Sequence, residues 1–174
     1  MCSGNDIITN RSANDNMKIE ITEASAADIL PCAKMIAATD PWLAFKYSVE
    51  DCIPKVKSAK WLKVAKAGNE LAGFISYKPE GMGAMSYISL LCIAPEYQRK
   101  GVGGKLLKHA EDHIFTYDHN IMLYATSFNH SAISFYEKNG YKKVGEITDY
   151  NYTGHHEYMY RKTIGPRRQD LKPE

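Results

Sequence analysis

The stretch Leu91-Cys92-Ile93-Ala94-Pro95-Glu96-Tyr97-Gln98-Arg99-Lys100-Gly101-Val102-Gly103-Gly104-Lys105-Leu106-Leu107 constrains this chain more than any other. An apolar strand enters a turn marked by Pro95, a short basic, glycine-rich loop follows, and an amphipathic helix opens at once. Val102, Leu106, Leu107, Ala110 and Ile114 recur at helical spacing on one side of that helix. Such a loop leaves backbone N–H groups without acceptors at a helix start, where the helix dipole favours negative charge. The segment therefore reads as a phosphate site. Gly101, Gly103 and Gly104 let the backbone approach an anion, and Arg99, Lys100 and Lys105 surround it with positive charge. The spacing excludes two common phosphate loops. A Walker A loop needs a glycine where Arg99 stands and Ser or Thr where Leu106 stands, and a dinucleotide fingerprint counted from Gly101 needs a third glycine at Leu106.

What remains is Gln98-x-x-Gly101-x-Gly103 after a strand and a proline turn. This resembles the pyrophosphate loop of the GNAT superfamily of acyl-CoA-dependent N-acetyltransferases. A second motif follows in the right order. Asn129-His130-Ser131-Ala132-Ile133-Ser134-Phe135-Tyr136-Glu137-Lys138-Asn139-Gly140-Tyr141 is similar to the family pattern Asn-x-x-Ala-x-x-Phe-Tyr-x-x-x-Gly-Phe/Tyr. Asn129 or Ser131 can cap the helix, and Gly140 ends it. The resemblance covers roughly residues 18 to 163.

The resemblance implies acetyl-CoA as cosubstrate. Its pyrophosphate would lie on Gln98, Arg99, Lys100, Gly101, Val102, Gly103, Gly104 and Lys105. Its pantetheine arm would slide between two splayed strands, here those ending at Ile93 and Ser127. It would pair with the backbone of Leu91 and Ile93 and be held by Asn129, with Ser131 assigned to the same site. The N–H near Leu91 would polarise the thioester carbonyl, and Tyr136 would protonate the leaving thiolate. Leu91 and Tyr136 are thus the expected catalytic groups. Direct attack by a neutral amine needs no covalent enzyme intermediate, and Cys92 reads as a small buried strand residue.

Length and composition fit one domain with a core of its own: 174 residues, 44% hydrophobic and 24% charged. A net charge of +2 gives no nucleic-acid signal. No apolar run is long enough for a membrane span, and no signal-peptide core stands at the N-terminus. The four cysteines, Cys2, Cys32, Cys52 and Cys92, form no close pair. A reducing cytoplasm is expected, with neither nucleic acid nor membrane as partner and a homodimer left open.

Residues 1–16 read as a disordered arm, 17–163 as the catalytic domain and 164–174 as a basic tail. Within the domain, strand Lys18–Glu23 precedes a helix ending near Ala38, with Ser25 and Asp28 as a capping box. Thr39–Tyr47 is an aromatic loop and Ser48–Ser58 a second helix. Trp61–Ala67 and Leu71–Tyr77 form a hairpin, Lys78–Gly83 a turn, and Ala84–Ile93 the strand that feeds the glycine loop. The loop's helix runs to about Tyr117. Strand Ile121–Ser127, helix Ser131–Asn139, strand Tyr141–Tyr150, a turn at Asn151–Gly154 and strand His156–Lys162 follow. The fold class is α/β (α+β), a mixed, mostly antiparallel sheet with helices on both faces.

The acceptor is expected to be a primary amine on a small molecule or peptide. Its walls would be Trp42, Phe45 and Tyr47 in the aromatic loop and Tyr150 and Tyr152 in the last hairpin, since aromatics suit an apolar or cationic amine. An amine must lose a proton before attack. Candidate bases are Asp40, Glu50, Asp149 and His155. Family members that acetylate a ribosomal-protein N-terminus carry Glu at the position of Tyr124, so this chain departs from them. His155-His156 lacks a third ligand, and no metal is expected. The alternative reading is a non-catalytic acyl-CoA-binding sensor or scaffold.

Overall fold

The computed structural model describes residues 18–167. The expectations for residues 1–16, and for 168–174 of the basic tail, lie outside the described residues. Seven strands form one sheet in the order β1-β2-β3-β4-β5-β7-β6. They are β1 (Ile19–Glu23), β2 (Trp61–Ala67), β3 (Glu70–Met82), β4 (Met85–Ile93), β5 (Asn120–Thr126), β6 (Lys142–Tyr152) and β7 (His155–Thr163). Helices α1 (Ile29–Ala37), α2 (Val49–Lys57), α3 (Val102–Ile114) and α4 (His130–Lys138) complete it. Every strand pairing is antiparallel except β4 with β5.

The helices cover both faces. α1 and α2 bury Cys32, Ala33, Ile36, Cys52 and Val56 on a sheet face made by Leu62, Val64, Phe74, Leu90 and Cys92. α3 buries the stripe Val102, Leu106, Leu107, Ala110 and Ile114 against Ala65, Ile75, Tyr77, Ile121 and Leu123 on the other face, where Tyr136 of α4 joins them. Each such fully buried Leu or Ile contributes about 1.5–3 kcal/mol. Ser48 and Asp51 start α2 by a reciprocal capping box, Asp51 N donating to Ser48 Oγ at 3.1 Å and Ser48 N to Asp51 Oδ2 at 2.9 Å.

Three boundaries differ from the sequence reading. β3 continues through Pro79 and Gly81 to Met82, so the expected turn at Lys78–Gly83 is mostly strand, with the register slipping between Lys78 and Met82. Proline and glycine are tolerated there because the ladder is already irregular. In the last hairpin β6 runs to Tyr152 and β7 begins at His155, shortening the turn expected at Asn151–Gly154. Gly154 supplies its left-handed residue, φ 81°. α3 closes at Ile114, and Phe115 to Tyr117 follow as turn.

The sheet opens at its centre. β4 and β5 pair only at Ser86–Ile121 and Tyr87–Met122. Asp118 pins this vertex: one carboxylate oxygen accepts from Ser86 N at 2.7 Å and the other from Asn120 N at 3.0 Å. Beyond Tyr87 the two strands part. Opposite β3, Ser76 faces Leu90 and Tyr77 faces Ile88, so Ser89 is an unopposed residue, a β-bulge. The bulge reverses the alternation of β4. Ile88, Leu91 and Ile93 serve the α3/α4 core, while Leu90 and Cys92 serve the α1/α2 core.

Candidate active site

The gap between the parted strands holds the site. Ala94 N donates to Ala72 O at 3.0 Å. In an antiparallel ladder every second residue then bonds β3, which assigns Cys92 and Leu90 to that edge and turns the backbone N–H and C=O of Leu91 and Ile93 toward the gap. No β5 residue pairs with them. Unpaired backbone groups in an interior need a partner. Leu91 thus has no backbone partner across the gap, whereas the carbonyl of Ile93 is taken by the Gln98 side chain.

At the far end of β4 lies the glycine loop. Gly101 is left-handed, φ 81°, and stands just before α3. The first bond across the helix start runs from Lys105 N to Gly101 O at 3.1 Å. The N–H groups of Val102, Gly103 and Gly104 therefore have no acceptor within the helix. Val102's side chain belongs to the core, so its contribution to the loop is backbone alone. Gln98 uses its side-chain amide to donate to Ile93 O at 3.2 Å, tying the loop to the end of β4. A Cβ at Gly103 would lie 3.5 Å from Phe135 and 3.6 Å from Ile93. The loop is thus joined to α4 and β4, and Arg99, Lys100 and Lys105 stay exposed around it.

Asn129 caps α4, its Oδ1 accepting from Ala132 N at 3.1 Å and from Ser131 Oγ at 3.0 Å. Of the two expected caps, Asn129 is therefore the one used. Its amide nitrogen reaches Asp40 O at 3.4 Å, across the gap to the aromatic loop. Tyr136 lies one face further along α4. It is 8% exposed and its ring packs on Phe135 and Tyr141 at 5.4 and 5.7 Å. Its hydroxyl makes no hydrogen bond among the described residues, yet it is not among their sealed, unpartnered atoms. Tyr136 lines the cavity described next, so the hydroxyl opens onto it. Burial pushes the Tyr136 phenol well above its ordinary pKa.

That cavity measures about 360 Å³. Leu91, Asn129 and Tyr136 line it, as do Trp42, Phe45, Tyr47 and Tyr150 of the expected acceptor walls. Tyr152, expected as a further wall, does not line it: its ring is exposed and tilted against Phe45 at 5.0 Å. Phe45 also meets Phe128 and His155 edge-on, at 5.7 and 5.9 Å, and so fastens the aromatic loop to the hairpin. Of the four candidate bases only Asp40 lines the cavity. Asp149 instead accepts from Gly154 N at 2.7 Å inside the hairpin turn, and His155 packs on Phe45.

Sequence reasoning missed Glu157. This residue of β7 is 7% exposed and lines the cavity. Its Oε1 accepts from Thr126 Oγ1 at 2.7 Å and from Asn151 Nδ2 at 3.2 Å. Burial pushes its carboxyl above the usual carboxylate range, against the downward pull of those two bonds. The one available signal was its position in the hairpin already assigned to the acceptor. Cys92 is buried, and burial raises its thiol far above the ordinary value, which suits a packing residue. Among the described residues no group of three or more His, Cys, Asp or Glu side chains is placed to hold a metal, and no helix is long and apolar enough to cross a membrane.

Solved structures with this fold are numerous. The ribosomal-protein-S18-alanine N-acetyltransferase of Escherichia coli superposes with a TM-score of 0.71 at 20% identity, covering 89% of this chain and 99% of that one. An aminoglycoside 6'-N-acetyltransferase complexed with coenzyme A gives 0.71 at 20% identity, over 86% and 99%. NAA60 of Arabidopsis thaliana, in complex with a bisubstrate analogue, gives 0.69 at 14%, over 84% and 98%. A comparison with curated proteins finds no match. At these identities the likeness speaks for the fold. The model of the Acetyltransferase (GNAT) family matches residues 32–141, more than half of the sequence, and includes both the glycine loop and the Tyr136 helix. This chain therefore belongs to the GNAT acetyltransferase family.

Proposed function

We propose that the chain is an acetyl-CoA-dependent N-acetyltransferase acting on a primary amine in a ternary complex. One observation carries the reading. The central strands part after two paired positions, and the exposed backbone edge of β4 leads from the cavity at Leu91 to the glycine loop beside Ile93. The residues present fit a CoA. Orphaned N–H groups at the start of α3 suit a pyrophosphate, with Gln98, Arg99, Lys100 and Lys105 around it. The gap-facing backbone of Leu91 and Ile93 suits the amides of a pantetheine arm, and Asn129 with Ser131 borders its path.

When bound, acetyl-CoA supplies an activated acyl thioester. The chain's own residues would do the rest. The Leu91 N–H is held by the sheet to stabilise charge on the acyl oxygen, a preorganised donor that needs no reorganisation. A phenol carries its proton at neutral pH and burial raises the Tyr136 pKa further, so Tyr136 holds a proton that it can give to sulfur. The aromatic loop and the hairpin hold the acceptor amine and exclude water. In this reading the catalytic domain spans residues 17–163, and Leu91 and Tyr136 are its catalytic groups.

Calorimetric titration of CoA into the full chain and into Gly103→Asp tests it. The structure gives the new Cβ room, so the variant should fold, while its carboxylate repels the phosphates. A loss of CoA affinity of at least about tenfold, or 1.4 kcal/mol, is expected. Equal affinity in the two proteins would remove the phosphate assignment.

A further inference from the structure

Glu157 has the features of a charge kept for a ligand. It is buried in β7 and held by β5 and β6, where Thr126 and Asn151 both bond a single oxygen, Oε1. The second oxygen, Oε2, accepts nothing among the described residues. It is also absent from their sealed, unpartnered atoms, so it faces the cavity that Glu157 lines. No Lys, Arg or His among the described residues forms an ion pair with Glu157. A buried carboxylate without a cation costs several kcal/mol. A glutamine would make the same two bonds through its carbonyl oxygen without that cost. The negative charge therefore adds nothing to the strand contacts.

What surrounds Oε2 indicates the ligand. Tyr87, Tyr124 and Tyr150 line the same cavity. Tyr124 and Tyr150 stack at 6.2 Å, and Tyr87 meets Tyr124 edge-on at 5.9 Å. Tyrosine faces attract a cation, and their rings cover an apolar stem. Of the charged residues lining the cavity, Asp40 and Glu157 are acidic and Lys55 alone is basic. Lys55 is engaged over the Tyr47 ring at 4.7 Å, on α2. The cavity is thus net acidic, walled by aromatics and open beside Tyr136.

We propose that Glu157 receives the ammonium of the acceptor and takes the first proton it loses, and that the acceptor is a primary alkylammonium seated between Glu157 and the tyrosines Tyr87, Tyr124 and Tyr150. This rests on the acetyl-transfer reading above. Of the ammonium's two departing protons, one passes to Glu157 Oε2 and on to water. The other balances the proton that sulfur takes up through Tyr136. The nitrogen lone pair forms the bond to the acetyl carbon as the carbon–sulfur bond breaks and its electron pair goes to sulfur. One proton is released per turnover.

The test uses the full chain loaded with CoA, titrated with n-butylammonium and with 1,4-diaminobutane. Wild type should bind both. Glu157→Gln should bind each at least tenfold more weakly, with CoA affinity unchanged and a melting temperature at or above that of wild type, because Gln keeps both hydrogen bonds and removes the unpaired buried charge. In turnover with n-butylamine, kcat/KM of this variant should fall by about 10²–10⁴. The rate–pH profile separates charge from structure. The titratable groups that line the cavity with Glu157 are Tyr87 on β4, Tyr124 on β5, Tyr150 on β6, Tyr136 on α4, Asp40 and Tyr47 in the aromatic loop and Lys55 on α2. Burial raises the phenols of Tyr87 and Tyr124, so neither titrates in acid. Wild type should lose rate as acid protonates Glu157, Asp40→Asn should keep that acid limb, and Glu157→Gln should lack it. Alkylammonium affinity equal in wild type and Glu157→Gln, no alkylammonium binding by wild type, or an acid limb that follows Asp40, would each overturn the proposal. Failure of CoA itself to bind would instead overturn the acetyl-transfer reading, while the alkylammonium titration of the unloaded protein would still decide on Glu157.

Discussion

Replacing Tyr136 with Phe removes one oxygen atom and leaves the ring. The ring does the packing, against Phe135 at 5.4 Å and Tyr141 at 5.7 Å. The hydroxyl bonds nothing among the described residues, so no internal hydrogen bond is lost with it. Stability should therefore stay within about 1 kcal/mol of wild type, whereas losing the whole ring by Tyr136→Ala should cost about 3–5 kcal/mol. Turnover should behave differently. Loss of a general acid costs about 10²–10⁴ in rate, and a thiolate is a good leaving group, so the expected loss is about 10², or 2.7 kcal/mol of barrier. The assay is thiol release at saturating acetyl-CoA and amine, beside calorimetric affinity for acetyl-CoA and a thermal melt. The account requires kcat to fall with affinity and melting temperature near normal. Full turnover in Tyr136→Phe would show that sulfur takes its proton elsewhere. A fall in turnover matched by a fall in stability would make Tyr136 a packing residue.

Three further expectations follow from the structure. Asp118→Ala strips the acceptor from Ser86 N and Asn120 N at the vertex of the split sheet, and should cost about 2–4 kcal/mol in denaturant unfolding. It should also weaken CoA binding, an effect that unchanged affinity would deny. Lys162 Nζ lies 2.6 Å from Glu111, whose side chain is 8% exposed, so Lys162→Met should strand a buried carboxylate and destabilise by about 3–5 kcal/mol. Glu111→Gln in the same chain should recover part of it, and no recovery would mean that the loss comes from packing. Burial raises the Asp28 carboxyl, but bonds from Lys66 at 2.7 Å and from Ser25 outweigh it and leave the pKa depressed. A depressed pKa contributes stability that is present above the unfolded value of about 3.9 and lost as pH falls through the folded value. Asp28→Asn should thus narrow the stability difference between pH 7 and pH 2, and an unchanged difference would exclude the pair as a source of acid sensitivity.

The parts of the molecule legible in the sequence are those with a local cause. Glycines before an amphipathic stripe marked the loop and α3, and alternation over Ile121–Ser127 marked β5. Asn129 ahead of Ala132 marked the cap of α4. Where distant segments set the outcome, the sequence was silent. Pro79 and Gly81 read as a turn because nothing local shows that β4 supports an irregular ladder there. The bulge at Ser89 arises from register against Ser76 and Tyr77, and it decides which side chains of β4 face which helices. The family resemblance anticipated the parting of the strands, but not the Asp118 carboxylate that fixes where it starts. Glu157 was passed over because β7 shows a charged residue among His, Tyr and Arg, as any exposed strand does. Only its pairing opposite Thr126 brings it into the cavity. Tyr124 stands where the reading noted a missing carboxylate, and its phenol is raised by burial and by the charges of Tyr150 and Glu157 nearby. The acidic group is present in that part of the cavity, carried by the neighbouring strand.

The central claim is turnover: acetyl passes from CoA to an amine in the cavity between β4 and β5. Its most direct test incubates the full chain with acetyl-CoA and a panel of primary alkylamines, amino-terminal peptides and secondary amines, and measures released thiol and acetylated product together by mass spectrometry. The account predicts equal amounts of thiol and N-acetyl product, with primary alkylamines the best acceptors. Acetyl-CoA bound by the folded chain with no amine acetylated faster than in its absence would contradict it, and would leave a module that binds an acyl-CoA without reacting.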